Sequence, residues 1–469
     1  MLAGMRIAQG LASWLVSGVV ATAFGVMLPA GCGSDDPVTG DPDGNVDADA
    51  GANGDADHGA RDAGPRDGDA GGGGGEDFTA VMSAGLDHTC GLVDGQLFCW
   101  GGAGDGRLGN AETEEVFPMP EPVLELGGDP PADGWAQVAT GLEHSCGLKA
   151  DGHLFCWGAD SDGQLGTGDG DSSVPVAVRD PDGGAPNDDW KQVSAGHAHT
   201  CGVKDDGHLL CWGFGISGQL GAGSLASSPE PVAVLEPDGE PAASDWTQVA
   251  AGRIHTCGVK RDGRMFCWGS GSFGKLGDDH PTTPPRTTPL AVREPEAGEP
   301  AADWAQVATG TSFTCGLKQD GRLLCWGNHA VGQLGSGDAP GDYSSPRPVL
   351  EPGGGEPASD WVQVAAGDSH ACAVKQSGEL FCWGEAENGR LGNGDDDENS
   401  DTPVAVLEPG GEAPADDWLQ VTAGLSAHTC GVKEDGAMLC WGNADSGRLG
   451  NGEDGDDIDH DTPQQVMIE

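Results

Sequence analysis

Hydrophobic positions in this chain fall into short runs and follow no helical period. From about residue 78 onward each run is four to seven residues long. It carries Val, Cys or an aromatic residue and is bounded by Gly, Pro or Asp, which is the chemistry of strands and turns. Four runs recur as a set. The first reads Trp-x-Gln-Val-small-x-Gly, as from Trp246 to Gly252. The second is His-x-Cys-Gly-(Leu/Val)-Lys, as from His255 to Lys260. An Asp-Gly turn then leads into x-Cys-Trp-Gly, as from Asp262 to Gly269. The fourth follows a Leu-Gly loop and reads Pro-x-x-Val, as from Pro231 to Val234. Seven Trp-Gly pairs mark the sets, at Trp100, Trp157, Trp212, Trp268, Trp326, Trp383 and Trp441, spaced 55 to 58 residues apart. Four strands per unit and seven units predict an all-β chain, a seven-bladed β-propeller of four-stranded antiparallel blades. The Gln-Val-Ala-Ala-Gly run ends in small residues, which suits an innermost strand beside a crowded axis. The tryptophan of Trp-Gly is expected to fill the gap between blades.

The cysteines fix the register within each unit. In six units they are spaced C-x9-C: Cys146 and Cys156, Cys201 and Cys211, Cys257 and Cys267, Cys315 and Cys325, Cys372 and Cys382, Cys430 and Cys440. If Lys204 pairs with His208 across the loop Asp205-Asp206-Gly207, then Cys201 faces Cys211. In the first unit the turn is Asp94-Gly95, one residue shorter, and Cys90 and Cys99 are also one residue closer, so they still face each other. Directly opposed cysteines on antiparallel neighbours lie near bonding distance, about 4.5–5.5 Å between Cα atoms. One disulfide per blade is therefore expected. Zinc held by the two cysteines and the neighbouring histidine would be one ligand short of four, and no Cys-x-x-Cys knuckle occurs.

Composition adds a compartment. Arg6 is the only charge before an apolar stretch over residues 11–28, which ends Leu28-Pro29-Ala30-Gly31-Cys32. This reads as a secretory signal over 1–32 and resembles the lipobox of bacterial lipoproteins, with Cys32 as the lipidated residue. A membrane-spanning anchor is the competing reading. Residues 33–77 are Asp, Gly and Ala with almost no large apolar group, so a disordered linker is expected before a propeller over 78–469. The chain has 22 Lys plus Arg against 76 Asp plus Glu, a net charge of −54, which repels phosphate and argues against nucleic acid as a partner. With 83 glycines, long helices are disfavoured.

The pattern Gly-x-x-His-(Thr/Ser)-Cys-Gly-(Leu/Val)-Lys-x-Asp-Gly-x-Leu-x-Cys-Trp-Gly-x-x-x-x-Gly-x-Leu-Gly stands most fully from Gly141 to Gly166 and from Gly252 to Gly277. It resembles the repeat of the regulator of chromosome condensation family. The resemblance implies a seven-bladed propeller. That family includes a chromatin-bound guanine-nucleotide exchange factor, secreted inhibitors of β-lactamase, and many sensors and scaffolds. The paired cysteines look like those of exported bacterial relatives.

Candidate chemistry is sparse. Six units carry a histidine at one place, His88, His144, His199, His255, His370 and His428, while the fifth has Phe313. An apolar ring at that position favours packed histidines bonded to backbone over a metal ring. The runs Gly213-x-Gly-x-x-Gly218 and Gly269-x-Gly-x-x-Gly274 match the dinucleotide fingerprint, but no helix follows and they recur as part of the repeat. Loops after Leu-Gly carry acids: Asp169 and Asp171; Asp395, Asp396, Asp397 and Glu398; Glu453, Asp454, Asp456 and Asp457. Calcium takes such oxygens, so the last two loops are weak calcium candidates, with no other cofactor expected. A second loop set, such as Leu235-Glu-Pro-Asp-Gly-Glu-Pro, links each fourth strand to the next unit. No catalytic motif stands out. The expected function is a non-catalytic, monomeric binding or scaffold propeller, lipid-anchored at the bacterial cell envelope or outer membrane, recognising a protein or extracellular polymer through disc-face loops. The alternatives are an extracellular carbohydrate hydrolase or lyase and, on the family resemblance alone, guanine-nucleotide exchange.

Overall fold

The computed structural model describes residues 82–468, apart from 132, 182–185, 243, 281–283, 295–299, 412 and 456–457. The expected signal, Cys32 and the linker lie outside the described residues. Seven four-stranded sheets follow one another along the chain, each with its strands paired in sequence order. The first is Met82–Ala84, His88–Val93, Gln96–Gly102 and Val116–Pro122, and the other six innermost strands begin at Trp135, Trp190, Trp246, Trp304, Trp361 and Trp418. Among the described residues there are strands and short 3-10 turns and no α-helix. This is the seven-bladed antiparallel propeller that the repeat predicts. The fourth strand starts earlier than its Pro-x-x-Val core: in blade 3 it spans Ser228–Ala233.

Within a blade the register is the one the turns dictate. Cys201 pairs with Cys211 and Cys90 with Cys99. The two Cα atoms of each pair are 4.0 to 4.1 Å apart, closer than an unbonded pair, and the sulfurs are disulfide-bonded. The ladder bulges at Trp-Gly. There Gly269 takes φ +98°, and a Cβ added to it would lie 2.7 Å from the Ile254 carbonyl oxygen, so only glycine fits.

Between blades the repeated polar groups bond to one another. Each Trp-Gly indole is fully buried, and its Nε1–H donates to a carbonyl of the preceding blade: Trp268 to Gln219 (2.9 Å), Trp326 to Lys275 (3.0 Å), and Trp100 to Arg448 across the seam (2.9 Å). In six blades the hydroxyl before the cysteine donates to the same carbonyl, as Thr256 does to Gln219 (2.8 Å). Nearer the axis, a glutamine side chain satisfies the exposed edge of the next innermost strand. The Gln137 amide gives Nε2–H to the Val193 carbonyl and accepts from the Val193 N–H, both at 3.0 Å. Gln192, Gln306 and Gln363 repeat this two-point bond. Gln420 makes it to Met82 and so helps close the ring. Between blades 1 and 2 the bond is replaced by Ser83 Oγ and Thr140 Oγ1 at 2.8 Å. An unpaired strand edge is thereby covered at each step. No strand is exchanged between blades 7 and 1, so the ring closes by these side-chain bonds and by loop backbone bonds such as Leu425 N–H to the Gly85 carbonyl (3.0 Å).

Candidate functional site: the two faces of the disc

Antiparallel order puts the connections from first to second and from third to fourth strand on one face. The second-to-third hairpins and the interblade connections share the other.

The hairpin face is built for stability. Lys260 ends its strand almost fully buried, 4.9 Å from the centre of the Trp246 ring. Its ammonium meets Glu236 at 2.7 Å and Asp245 at 2.9 Å. Lys375 and Lys433 repeat the set with Glu351 and Asp360, and with Glu408 and Asp417. Lys318 bonds Glu294 and Asp303. Burial alone would lower the Lys375 and Lys433 pKa values, but their carboxylate partners outweigh it and raise them. Glu236, Glu351 and Glu408 come from Leu-Glu-Pro connections and Glu294 from Arg-Glu-Pro, so part of that loop set anchors blades and is not free for a ligand. The repeated Trp-x-Gln, lysine and Leu-Glu motifs were each visible in sequence. Their pairing was not, because the glutamate stands 24 or 25 residues before its lysine.

The histidines sit between blades, and their partner is a side chain, not backbone as the sequence suggested. Nε2 of His144 lies 2.9 Å from Thr200 Oγ1, His199 2.9 Å from Thr256, His255 2.9 Å from Thr314, His370 2.8 Å from Thr429, His88 2.8 Å from Ser145 and His428 3.0 Å from Thr89. Each hydroxyl already donates to a carbonyl, so it accepts from Nε2–H, and Nδ1 keeps a bare lone pair. Burial holds His144, His199 and His370 at pKa about 3, with neighbouring cations or imidazoles adding to the shift, and drives His88, His255 and His428 well below 6.5. These are neutral structural groups. Phe313 occupies the same slot in blade 5 and packs in one cluster with Ala371, which stands where the hydroxyl would be.

On the opposite face, Asp160 accepts from the Leu165 and Gly170 N–H groups, and burial raises its pKa. Asp171 caps the Asp160 N–H, and Asp169 pairs with Arg179 at 2.9 Å. Asp395 accepts from the Asp397 N–H, and Glu453 bonds His460. Asp396, Glu398 and Asp454 are exposed, and Asp456 and Asp457 lie outside the described residues. Among the described residues no three carboxylates or imidazoles converge as a metal site. The two glycine fingerprints lie in the loops after Trp212 and Trp268, where their glycines accommodate neighbouring strands: an added Cβ at Gly274 would lie 2.6 Å from Ser344 Cα. A cavity of about 940 Å³ at the axis is lined by the innermost strands and by the second-to-third hairpins of blades 5 and 6. A smaller pocket of about 300 Å³ is lined by Leu142, His197, Phe214, Arg253 and Ile254 on the face of the acidic loops.

The chain matches the RCC1-like domain over residues 129–469 and the regulator of chromosome condensation (RCC1) repeat over residues 94–148. It is 32% identical over 321 residues to the ultraviolet-B receptor UVR8 of Arabidopsis thaliana, covering 67% of each chain. It is 29% identical to the X-linked retinitis pigmentosa GTPase regulator homolog of Caenorhabditis elegans, covering 71% of this chain but 25% of that one. The crystal structure of yeast RCC1 (Prp20) bound to Kap60 shares the fold, with a TM-score of 0.64 at 20% identity, covering 83% of this chain and 85% of that one. These relatives lend nothing to a carbohydrate hydrolase or lyase. Repeat, blade register and family match agree: the chain belongs to the RCC1-like domain family.

Proposed function

We propose that this protein is a non-catalytic binding module: an exported ring, held to a membrane surface by lipid on Cys32 through the acidic linker, that captures a protein partner on its disc face. One observation carries the reading. The repeated polar groups, His, Thr, Gln, Lys and the Trp indole, are engaged in bonds between or beside blades, as at Gln137, His255, Lys260 and Trp268. The chemistry that varies from blade to blade lies in the loops of a rigid scaffold, where binding residues concentrate. A disulfide in every blade suits an oxidising compartment. The structure of a family member bound to Kap60 supports a protein as the kind of ligand. Guanine-nucleotide exchange is the regulatory alternative that the family suggests.

Cross-linking in intact envelope preparations, with a disulfide-scrambled protein as control, tests this. The reading requires one or more protein cross-links mapping to the loops and absent from the control. Cross-links no richer than the control would overturn it, and accelerated nucleotide release from a small GTPase would replace it with the exchange reading.

A further inference from the structure

The residue before each Leu-Gly lies beneath the third-to-fourth connection, and its side chain is Arg107, Gln164, Gln219, Lys275, Gln333, Arg390 or Arg448. The arginines reach carboxylates. Arg448 meets Asp87 at 3.1 Å, Arg390 meets Glu385 at 2.6 Å, and Arg107 meets Asp105 at 3.4 Å. Lys275 does not. It is 1% exposed, and among the described residues its ammonium has one bond, to the Thr311 carbonyl at 3.3 Å. The reason is local: Ser270 stands where blade 6 has Glu385, and Ser312 stands where blade 1 has Asp87. A buried cation without a counter-ion costs several kcal/mol. In keeping with this, burial first and Arg253 second lower the Lys275 pKa to about 8. Arg253 is itself exposed and, among the described residues, has no carboxylate partner. Of the two places, the one at Ser312 is half-buried and reaches solvent, as Asp87 does at 36% exposure in blade 1, while Ser270 is buried.

The same sector exposes two apolar side chains on loops of this face. Ile216, 58% exposed, stands where blades 6 and 7 carry Glu387 and Asp445. Phe273, 40% exposed, takes φ +65° at a position that is Asp105, Asn388 or Ser446 in the other blades with this backbone. Those polar residues tolerate the left-handed region, whereas a phenylalanine there is strained and stays 40% exposed.

We propose that blades 3 to 5 form the docking sector of this face for a protein segment that presents a carboxylate beside an apolar side chain. The carboxylate closes on Lys275 and Arg253, and the apolar group on Phe273 and Ile216. This rests on the binding-module reading above and names the partner's chemistry. The choice of occupant follows from charge: on a chain of net charge −54, two cations that make no ion pair among the described residues select an acid.

The repeat supplies variants compatible with folding. Lys275→Gln places the residue found at 164, 219 and 333, Arg253→Thr the residue at 311, and Phe273→Asn the residue at 388. The full disulfide-bonded chain is applied to an array of capped pentapeptides with a central Glu and varied apolar neighbours, alongside arrays with central Gln or Lys. Glu peptides should bind, and Gln counterparts, Lys275→Gln and Arg253→Thr should each weaken binding at least about tenfold. Phe273→Asn should weaken binding while raising the unfolding midpoint, a split that a purely structural residue would not show. Arg261→Gln, on the hairpin face, should change nothing. Equal binding of Glu and Gln peptides, no binding by any Glu peptide, or full binding by the Lys275→Gln/Arg253→Thr double variant would overturn the proposal. If that double variant keeps the envelope cross-links, only the sector is wrong. If wild type makes none, the binding-module reading itself has failed.

Discussion

Phe313 and Ala371 meet at the one interface where the histidine and the hydroxyl are both missing. The two changes match: an imidazole there would aim an N–H at a methyl group, and a hydroxyl would face an apolar ring. Phe313→His alone should therefore cost about 1–3 kcal/mol through an unsatisfied buried donor. Adding Ala371→Thr should recover a large part, a coupling that guanidinium unfolding at pH 7.5 can measure. The other six histidines make stability depend on pH. Their folded pKa values lie below the ordinary 6.5, at about 3 for His144, His199 and His370. The unfolded chain therefore takes up protons that the folded ring refuses. Their contribution is complete above pH 6.5 and falls as the solution is acidified toward pH 3. Replacing one unit, His255→Phe with Thr314→Ala, should flatten the loss of stability below pH 5.5 by about 1.4 kcal/mol per pH unit relative to wild type. An unchanged slope would mean that His255 titrates normally in the fold.

At the scale of strands, the hairpin arithmetic was legible because turn length and cysteine spacing change together. Asp94-Gly95 shortens the first turn and the first cysteine pair by the same single residue. What the sequence did not show was any bond to the next repeat. Gln192 and Val249 are 57 residues apart, and nothing in a linear pattern of apolar and polar positions links a glutamine to the backbone of a distant valine. The histidine's true partner was hidden for the same reason, 56 to 59 residues away around most of the ring. The docking sector was hidden differently: Lys275 and Phe273 stand out only when the same slot is compared across blades whose geometry is known. The two kinds of staple in blade 4 should differ in cost. Removing the covalent one with Cys257→Ala and Cys267→Ala should lower stability by about 2 kcal/mol, since the loop it closes is short. Lys260→Met should cost about 1–3 kcal/mol because it leaves Glu236 and Asp245 facing each other without a cation. Blade 1, with Val93 in place of that lysine, shows that the position itself accepts an apolar side chain. Chemical denaturation of both variants checks the pair.

For the molecule as a whole, the seam between blades 7 and 1 decides whether the ring stays closed. It is held by Gln420 to Met82, Thr422 to the Ala84 N–H, His428 to Thr89, Trp100 to the Arg448 carbonyl, and Arg448 to Asp87. Asp87 also lies 3.9 Å from Arg107, so one carboxylate on blade 1 answers cations on two loops. Asp87→Ala should leave the buried Arg448 guanidinium without its acid and speed hydrogen exchange selectively in blades 1 and 7, with blades 3 to 5 unchanged. Uniform acceleration would mean that the ring has no weak seam.

The proposed reading requires export and lipid attachment of the riveted ring, and one measurement reports on both. Intact mass of the protein from the membrane fraction, alkylated before and after reduction, should show a chain beginning at Cys32 and carrying lipid. No thiol should be available before reduction, and fourteen should be available after it. A chain that keeps residues 1–31, or that alkylates at the blade cysteines without reductant, would contradict the account.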